Sequence, residues 1–290
     1  MTRTVSPDHS QMYTQYHTLA DGHREIHVVT HGSLLNVPAE AAIVMGNGAF
    51  ATPTSLARFG RSMVQAAADE GRNIAFVTHS DPYLGRAYAQ DYRTERLDRV
   101  TRDTANHYPG THLVGHSWSW APALQVAAGM RWNMPLDSLV AYTPADHPDL
   151  LVDRNILTLL NSVRREAFQA DGFAGGLGSL SILSCIVAQM GVRLAANPAM
   201  LCGEVYRSFR TDSTRRVAAL PAEVPAGFLL ANHDKFYPAA VVRERLDIAG
   251  FTGPVATIEA THLSAVTNPA HAPELYRFAM RVAAGQAAAE

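Results

Sequence analysis

The chain has 290 residues, of which 47% are hydrophobic and 17% charged, and its formal net charge is −2. This composition is typical of a globular protein with a sizeable buried core. Its basic residues are scattered along the chain, whereas a nucleic-acid-binding protein concentrates them on one surface. A nucleic-acid-binding protein is therefore not expected.

The N-terminal stretch and the cysteines bear on the location of the protein. Residues 1–15 are polar and lack the basic and apolar regions of a secretory signal, and no apolar stretch of about 18 residues predicts a membrane span. The two cysteines, Cys185 and Cys202, are too few for a disulfide framework, so free buried thiols and a cytoplasmic location are expected. His79 and Asp81 are two potential ligands and do not make a metal site. We expect neither a metal nor another cofactor.

Short apolar runs alternate with stretches of helical periodicity along most of the chain. The predicted strands are 25–30, 41–45, 73–78, 112–115, 136–142, 227–231 and 255–259. The predicted helices are 53–71, 94–108, the stretch from Ser117 to Gly129, 239–249 and 272–284. This order predicts an α/β protein with a mostly parallel central sheet and helices on both of its faces.

The alternation stops between residues 144 and 215. Helices alone are predicted there, including a strongly apolar one over residues 180–194. We interpret 144–215 as an inserted helical cap, and 1–143 together with 216–290 as the core. An alternative is that these helices simply pack on one face of the sheet. The stretch 180–194 is expected to form the core of the cap, with a homodimer interface or a surface that enters lipid aggregates as the alternative.

The most informative segment runs Gly115-His116-Ser117-Trp118-Ser119, directly after a predicted strand and directly before a predicted helix. A sharp turn at such a junction exposes a serine hydroxyl above the edge of the sheet, where it can act as a nucleophile. Gly115 suits the close approach of two backbone segments in this turn. The pattern G-x-S-x-G has Ser119 at its second glycine here. The alternative interpretation of Ser117 is an ordinary helix N-cap.

This segment and the order of the elements resemble the α/β-hydrolase fold family over about residues 25–285. The resemblance implies a catalytic triad in the chain order serine, acid, histidine. Ser117 then corresponds to the nucleophile, Asp234, after the strand at 227–231, to the acid, and His262, after the last strand, to the general base. Asp146, after an earlier strand, is the alternative acid.

The resemblance also implies an oxyanion hole made of two backbone amides. One amide is that of Trp118, and the other is that of Asn47 or Gly48 in the loop after an early strand. His116, beside the nucleophile, and Phe50, near the second amide, are expected to contact the substrate.

The expected function is hydrolysis of an apolar or medium-sized carboxylic ester, through an acyl-enzyme on Ser117. The expected partner is thus a small ester-like molecule. The same residues serve a thioesterase, a lactonase, an amidase or aminopeptidase and a carbon–carbon bond hydrolase, so these remain alternatives. Ser117-Trp118 also resembles the corresponding segment of proline iminopeptidases, but only locally. From another class, a non-catalytic ligand-binding protein with this fold is the alternative.

Overall fold

The computed structural model describes residues 12–21, 24–32, 38–46, 56–79, 90–129, 136–145, 216–217, 220 and 223–285. Several predictions lie outside these residues. They are the cap beyond residue 145 with its apolar stretch 180–194, the loop residues Asn47, Gly48 and Phe50, and the alternative acid Asp146. These remain predictions.

Eight strands form one sheet in the described part of the chain. They are β1 (Tyr13–Asp21), β2 (Arg24–Gly32), β3 (Ala41–Gly46), β4 (Ile74–His79), β5 (Gly110–His116), β6 (Ser138–Tyr142), β7 (Ala226–Ala231) and β8 (Val255–Ile258). Their order across the sheet is β1-β2-β4-β3-β5-β6-β7-β8. Strands β3 to β8 run parallel, whereas β1 pairs antiparallel with β2, and β2 with β4. The predicted, mostly parallel sheet is confirmed.

The helices lie on both faces of this sheet. They are α1 (Ala57–Asp69), α2 (Gln90–His107), α3 (Trp120–Gly129), α4 (Ala239–Ile248), the short α5 (Ser264–Thr267) and α6 (Ala272–Ala283). Apolar side chains of α2, α3 and α4 belong to one hydrophobic core, and those of α1 and α6 belong to a second. The central strands are buried along their whole length because both of their faces are covered.

Burial of apolar side chains stabilises the packing of the helices on the two faces of the sheet. In α1, Phe59 and Met63 are 1% and 0% exposed, and in α6 Leu275 and Phe278 are both 0% exposed. Full burial of such a side chain contributes about 1.5–3 kcal/mol. The helical spacing of apolar residues in the sequence therefore corresponds to the faces that the helices turn to the sheet.

Strand β1 was not predicted from the sequence. Its residues Tyr13–Asp21 pair with Arg24–Gly32 of β2 in an antiparallel register from Tyr13–Gly32 to Asp21–Arg24. The side chains from Thr14 to Thr18 are exposed, so the strand has no apolar run that would mark it. Pairing with β2 supplies the backbone hydrogen bonds that make this segment a strand.

Because β3 to β8 are parallel, the segments that follow them all leave from one edge of the sheet. His116 and Tyr142, the last residues of β5 and β6, lie side by side in register. The strand β7, which precedes Asp234, and β8, which precedes His262, are the next two strands along the sheet. This carboxyl edge is where open α/β sheets usually place a functional site.

No helix in the described part of the chain has both the length and the apolar character needed to cross a membrane.

Candidate active site

Ser117 lies at the turn between β5 and α3. It begins a single 3-10 turn, Ser117–Ser119, that leads directly into α3. Its backbone φ is 52°, in the left-handed region that residues with a side chain seldom adopt. Strained backbone of this kind is concentrated at functional sites, because the surrounding structure has to hold it in place. The strand–turn–helix predicted around Ser117 is confirmed.

Gly115 is required by the way α3 returns across β5. A Cβ atom at this position would lie 2.7 Å from the Cα of Trp120 and 2.9 Å from the Cβ of Ala123. The nearer of these two atoms belongs to the helix backbone, which cannot move without shifting α3. A residue without a side chain is therefore needed to form the turn that presents Ser117.

The structure brings Ser117, His262 and Asp234 together, although they are far apart in the sequence. The Nε2 atom of His262 lies 2.9 Å from the Oγ of Ser117. Its Nδ1 atom lies 2.7 Å from the Oδ2 of Asp234. With the Nδ1 proton donated to the carboxylate, Nε2 is left as the acceptor for the serine hydroxyl. This is the tautomer that a general base for Ser117 requires.

Backbone amides hold the Asp234 carboxylate in place. Its Oδ1 accepts hydrogen bonds from the amides of Phe236 and Tyr237, both at 2.8 Å, while Oδ2 faces His262. The Asp234 side chain is only 1% exposed. Both oxygens therefore have partners, and the carboxylate is oriented by the turn that follows β7.

His262 lies in a turn that two neighbouring side chains stabilise. The Oγ of Ser264 accepts a hydrogen bond from the amide of Thr261 at 2.8 Å, and the Oγ1 of Thr261 accepts one from the amide of Ser264 at 3.1 Å. This reciprocal pair resembles the capping box at the start of a helix. Because His262 stands between the two residues, the pair orients its backbone.

Aromatic rings surround the imidazole of His262. The ring centroids of Phe236, Tyr237 and His116 lie 5.6, 5.5 and 5.8 Å from that of His262. The side chain of His262 is 9% exposed. The hydrogen bonds to Asp234 and Ser117 are thus largely shielded from water, which strengthens them.

His116, which was predicted to contact the substrate, packs inside the site. Its ring lies 5.8 Å from those of both Tyr142 and His262, and the residue is 5% exposed. Among the described residues, neither ring nitrogen has a hydrogen-bond partner. Burial and the neighbouring His262 lower the pKa of His116 well below its ordinary value. The ring is therefore neutral, and a contact with substrate remains a prediction.

A second serine–histidine pair lies elsewhere in the sheet. The Nδ1 of His112 is 3.0 Å from the Oγ of Ser138, and Ser138 is 0% exposed. Ser138 is the first residue of β6, and His112 precedes the end of β5 by four residues, so the pair lies away from the carboxyl edge. Burial lowers the pKa of His112 to about 4. This pair joins two strands inside the core.

Sequence reasoning missed three residues that position the site. Thr261 and Ser264 form the reciprocal pair around His262, and the pattern Thr-x-x-Ser beside a candidate base was the signal that could have found them. Tyr142 donates a hydrogen bond to the backbone carbonyl of Ala265 in α5. No local sequence pattern predicts this contact, because Tyr142 and Ala265 are 123 positions apart in the chain.

The described residues offer no metal site. Nowhere among them do three or more His, Cys, Asp or Glu side chains form a group that could hold a metal ion.

Comparison with solved structures identifies the fold. The chain is similar to a bacterial membrane phospholipase A, with a TM-score of 0.63 and 15% identity over 97% of this chain and 90% of that one. It is similar to a serine hydrolase involved in carbazole degradation, with a TM-score of 0.61 and 16% identity over 93% and 100% of the two chains. A bacterial brefeldin A esterase matches with a TM-score of 0.59 and 16% identity, over 98% and 80%.

No protein-family model matches the chain, and no curated protein is significantly similar to it in sequence. At identities of 15–16%, the structural likeness establishes the fold. The protein has the α/β-hydrolase fold, as predicted.

Proposed function

We propose that the protein is a serine hydrolase that cleaves a carboxylic ester, with Ser117 as nucleophile, His262 as general base and Asp234 as the supporting acid. The observation that carries this proposal is the pair of hydrogen bonds, 2.9 and 2.7 Å long, that joins the three side chains at the carboxyl edge of the sheet. These contacts support the proposal, because proton transfer from the serine needs a base within hydrogen-bond reach.

The reaction begins when the Oγ of Ser117 attacks the carbonyl carbon of the ester. His262 takes the serine proton at Nε2, and the Asp234 carboxylate stabilises the imidazolium that forms. The tetrahedral intermediate carries a negative oxygen, which we propose is bound by the amide of Trp118 and by that of Asn47 or Gly48. When the intermediate collapses, His262 gives its proton to the leaving alcohol, and Ser117 remains acylated.

Water then completes the cycle. His262 removes a proton from a water molecule, whose oxygen attacks the acyl carbon and forms a second tetrahedral intermediate. Collapse of this intermediate releases the carboxylic acid, and the proton on His262 returns to Ser117. Contacts of the His262 ring with Phe236 and Tyr237 support its role as base, because they hold the imidazole in a fixed orientation.

An ester is proposed ahead of other acyl compounds for two reasons. The matched solved structures include proteins named as a phospholipase, an esterase and a lipase. The predicted cap supplies apolar residues that suit an apolar or medium-sized acyl group. Asp146 is retained as the alternative acid.

Fluorophosphonate labelling tests the nucleophile. The probe should modify the wild-type protein and Ser138→Ala, whose serine lies in the buried pair with His112. It should not modify Ser117→Ala, in which hydrolysis is expected to fall on the order of 10⁴- to 10⁶-fold. An unlabelled wild-type protein, or a labelled Ser117→Ala, would show that the proposal is wrong.

A substrate panel tests the class of bond. p-Nitrophenyl esters with acyl chains of increasing length should be hydrolysed, with matched thioesters, lactones and anilides measured beside them. Turnover of the esters at rates below those of the anilides or thioesters would move the assignment to one of the alternative reactions.

A further inference from the structure

Ser119 occupies the position where the pattern G-x-S-x-G has glycine, and its hydroxyl is engaged. The Oγ atom lies 2.5 Å from the backbone carbonyl oxygen of Gly46 and 2.8 Å from that of His116. The residue is 5% exposed. A hydroxyl has one hydrogen to donate, so it is shared between the two carbonyl groups, with the shorter contact to Gly46.

The contact with Gly46 joins two strands at the edge where the site lies. Gly46 is the last residue of β3 and pairs in register with Gly115 of β5. A Cβ atom at position 46 would lie 2.8 Å from the Oγ of Ser119. The absence of a side chain at Gly46 is therefore what lets the Ser119 hydroxyl reach the carbonyl at the end of β3.

Both segments that this hydrogen bond joins carry a predicted donor of the oxyanion hole. Trp118 directly precedes Ser119, and Asn47 directly follows Gly46. The hydrogen bond thus connects the turn that contains Trp118 with Gly46, the residue directly before Asn47. With glycine in place of Ser119, the Gly46 carbonyl would lose this side-chain donor.

We propose that Ser119 is a positioning residue for the oxyanion hole, and that its hydroxyl holds the carboxyl end of β3 at a set distance from the Ser117 turn. The inference rests on the proposed serine hydrolase function. Stabilisation of an oxyanion depends on donors that are already in place before the charge develops. A shift of about 1 Å in such a group is enough to cost on the order of 100-fold in rate.

Steady-state kinetics on the full chain test the inference. The variants are Ser119→Ala and Ser119→Gly, which both lack the hydroxyl, and Ser138→Ala as a control that removes another buried serine hydroxyl far from the Ser117 turn. Ser119→Ala is expected to lower kcat about 10- to 100-fold with little change in KM. The reason is that the oxyanion-hole amides bind the negative oxygen mainly in the transition state. Ser119→Gly should behave alike, and Ser138→Ala should retain the wild-type rate.

A second readout separates this role from a general loss of structure. A trifluoromethyl ketone forms a tetrahedral adduct in which its carbonyl carbon is bonded to the Oγ of Ser117 and its oxygen lies in the oxyanion hole. Its affinity for the Ser119 variants should fall by about the same factor as kcat/KM, since both report transition-state binding. Circular dichroism and thermal melting should show that the variants fold as the wild type does.

Three results would overturn the inference. The first is a kcat/KM within twofold of wild type in both Ser119 variants. The second is a loss of kcat with unchanged affinity for the ketone, which would assign the effect to another step. The third is a wild-type protein that fluorophosphonate does not label, which would remove the proposed function together with this inference. Labelled wild type with unaffected variants would contradict the inference alone.

Discussion

The hydroxyl of Tyr142 donates a hydrogen bond to the backbone carbonyl oxygen of Ala265, three residues beyond His262 in the chain. Tyr142 is the last residue of β6 and pairs in register with His116, the residue before Ser117. The strand beside the nucleophile is thereby tied directly to the segment that carries the base. The 2.9 Å contact between Ser117 and His262 therefore has a second support outside the triad.

Removing this hydroxyl should disturb the site more than it disturbs the fold. In Tyr142→Phe, the Ala265 carbonyl loses its donor, and we expect about 1 kcal/mol less stability toward urea. Hydrolysis should fall about 10-fold because His262 is held less closely in place. Tyr276→Phe is the matched control, since this buried tyrosine bonds to Glu70 at the C-terminal end of α1. An equal loss of rate in the two variants would argue against a role for Tyr142 in the site.

The identity of the acid is tested by two substitutions. Asp234→Asn should lower kcat on the order of 10³- to 10⁴-fold, because the amide cannot hold the imidazole in the required tautomer and charge state. The fold should be kept, since one side-chain oxygen can still accept from the amides of Phe236 and Tyr237. Asp146→Asn should remain near the wild-type rate. A large loss in Asp146→Asn alone would transfer the role of the acid to that residue.

Gly115 should be far less tolerant of a side chain than Gly129 at the C-terminal end of α3. Gly115→Ala places a Cβ 2.7 Å from the Cα of Trp120, so α3 has to shift, at an expected cost of about 3 kcal/mol in urea unfolding. Gly129→Ala, at the end of α3, meets no atom within 4 Å and should stay within about 1 kcal/mol of wild type. Similar losses in both variants would contradict the steric argument.

The buried His112 should make the fold sensitive to acid. Its pKa is lowered from 6.5 to about 4 by burial, so between these values the unfolded chain binds a proton that the native protein does not. Stability therefore falls as the pH drops from about 6.5 to about 4, by roughly 3 kcal/mol from this residue, and its contribution levels off below that range.

The pH dependence is checked by urea unfolding of wild type and His112→Asn across this range. The variant should lose a slope of about 1.4 kcal/mol per pH unit, corresponding to one proton. If the two proteins show the same slope, a group other than His112 binds the proton.

Much of the fold followed from local patterns in the sequence. The apolar runs at 41–45 and 227–231 became β3 and β7, and the helical spacing of Leu56, Phe59 and Met63 corresponds to the buried face at α1. Strand β1 was missed because its side chains from Thr14 to Thr18 are exposed, and because its conformation depends on pairing with β2. Apolar periodicity indicates which residues are buried, so it does not reveal a strand whose side chains are mostly exposed.

By itself the sequence determined the strand–turn–helix around Ser117 and the order in which Ser117, Asp234 and His262 follow their strands, because these features depend on neighbours in the chain. Only the tertiary structure decided that Asp234 Oδ2 and Ser117 Oγ lie within 2.7 and 2.9 Å of the same imidazole. It likewise decided that the hydroxyl of Ser119 meets Gly46, 73 positions away. Such contacts depend on sheet order and register. The residues next to a serine in the sequence therefore do not reveal which group across the sheet its hydroxyl will contact.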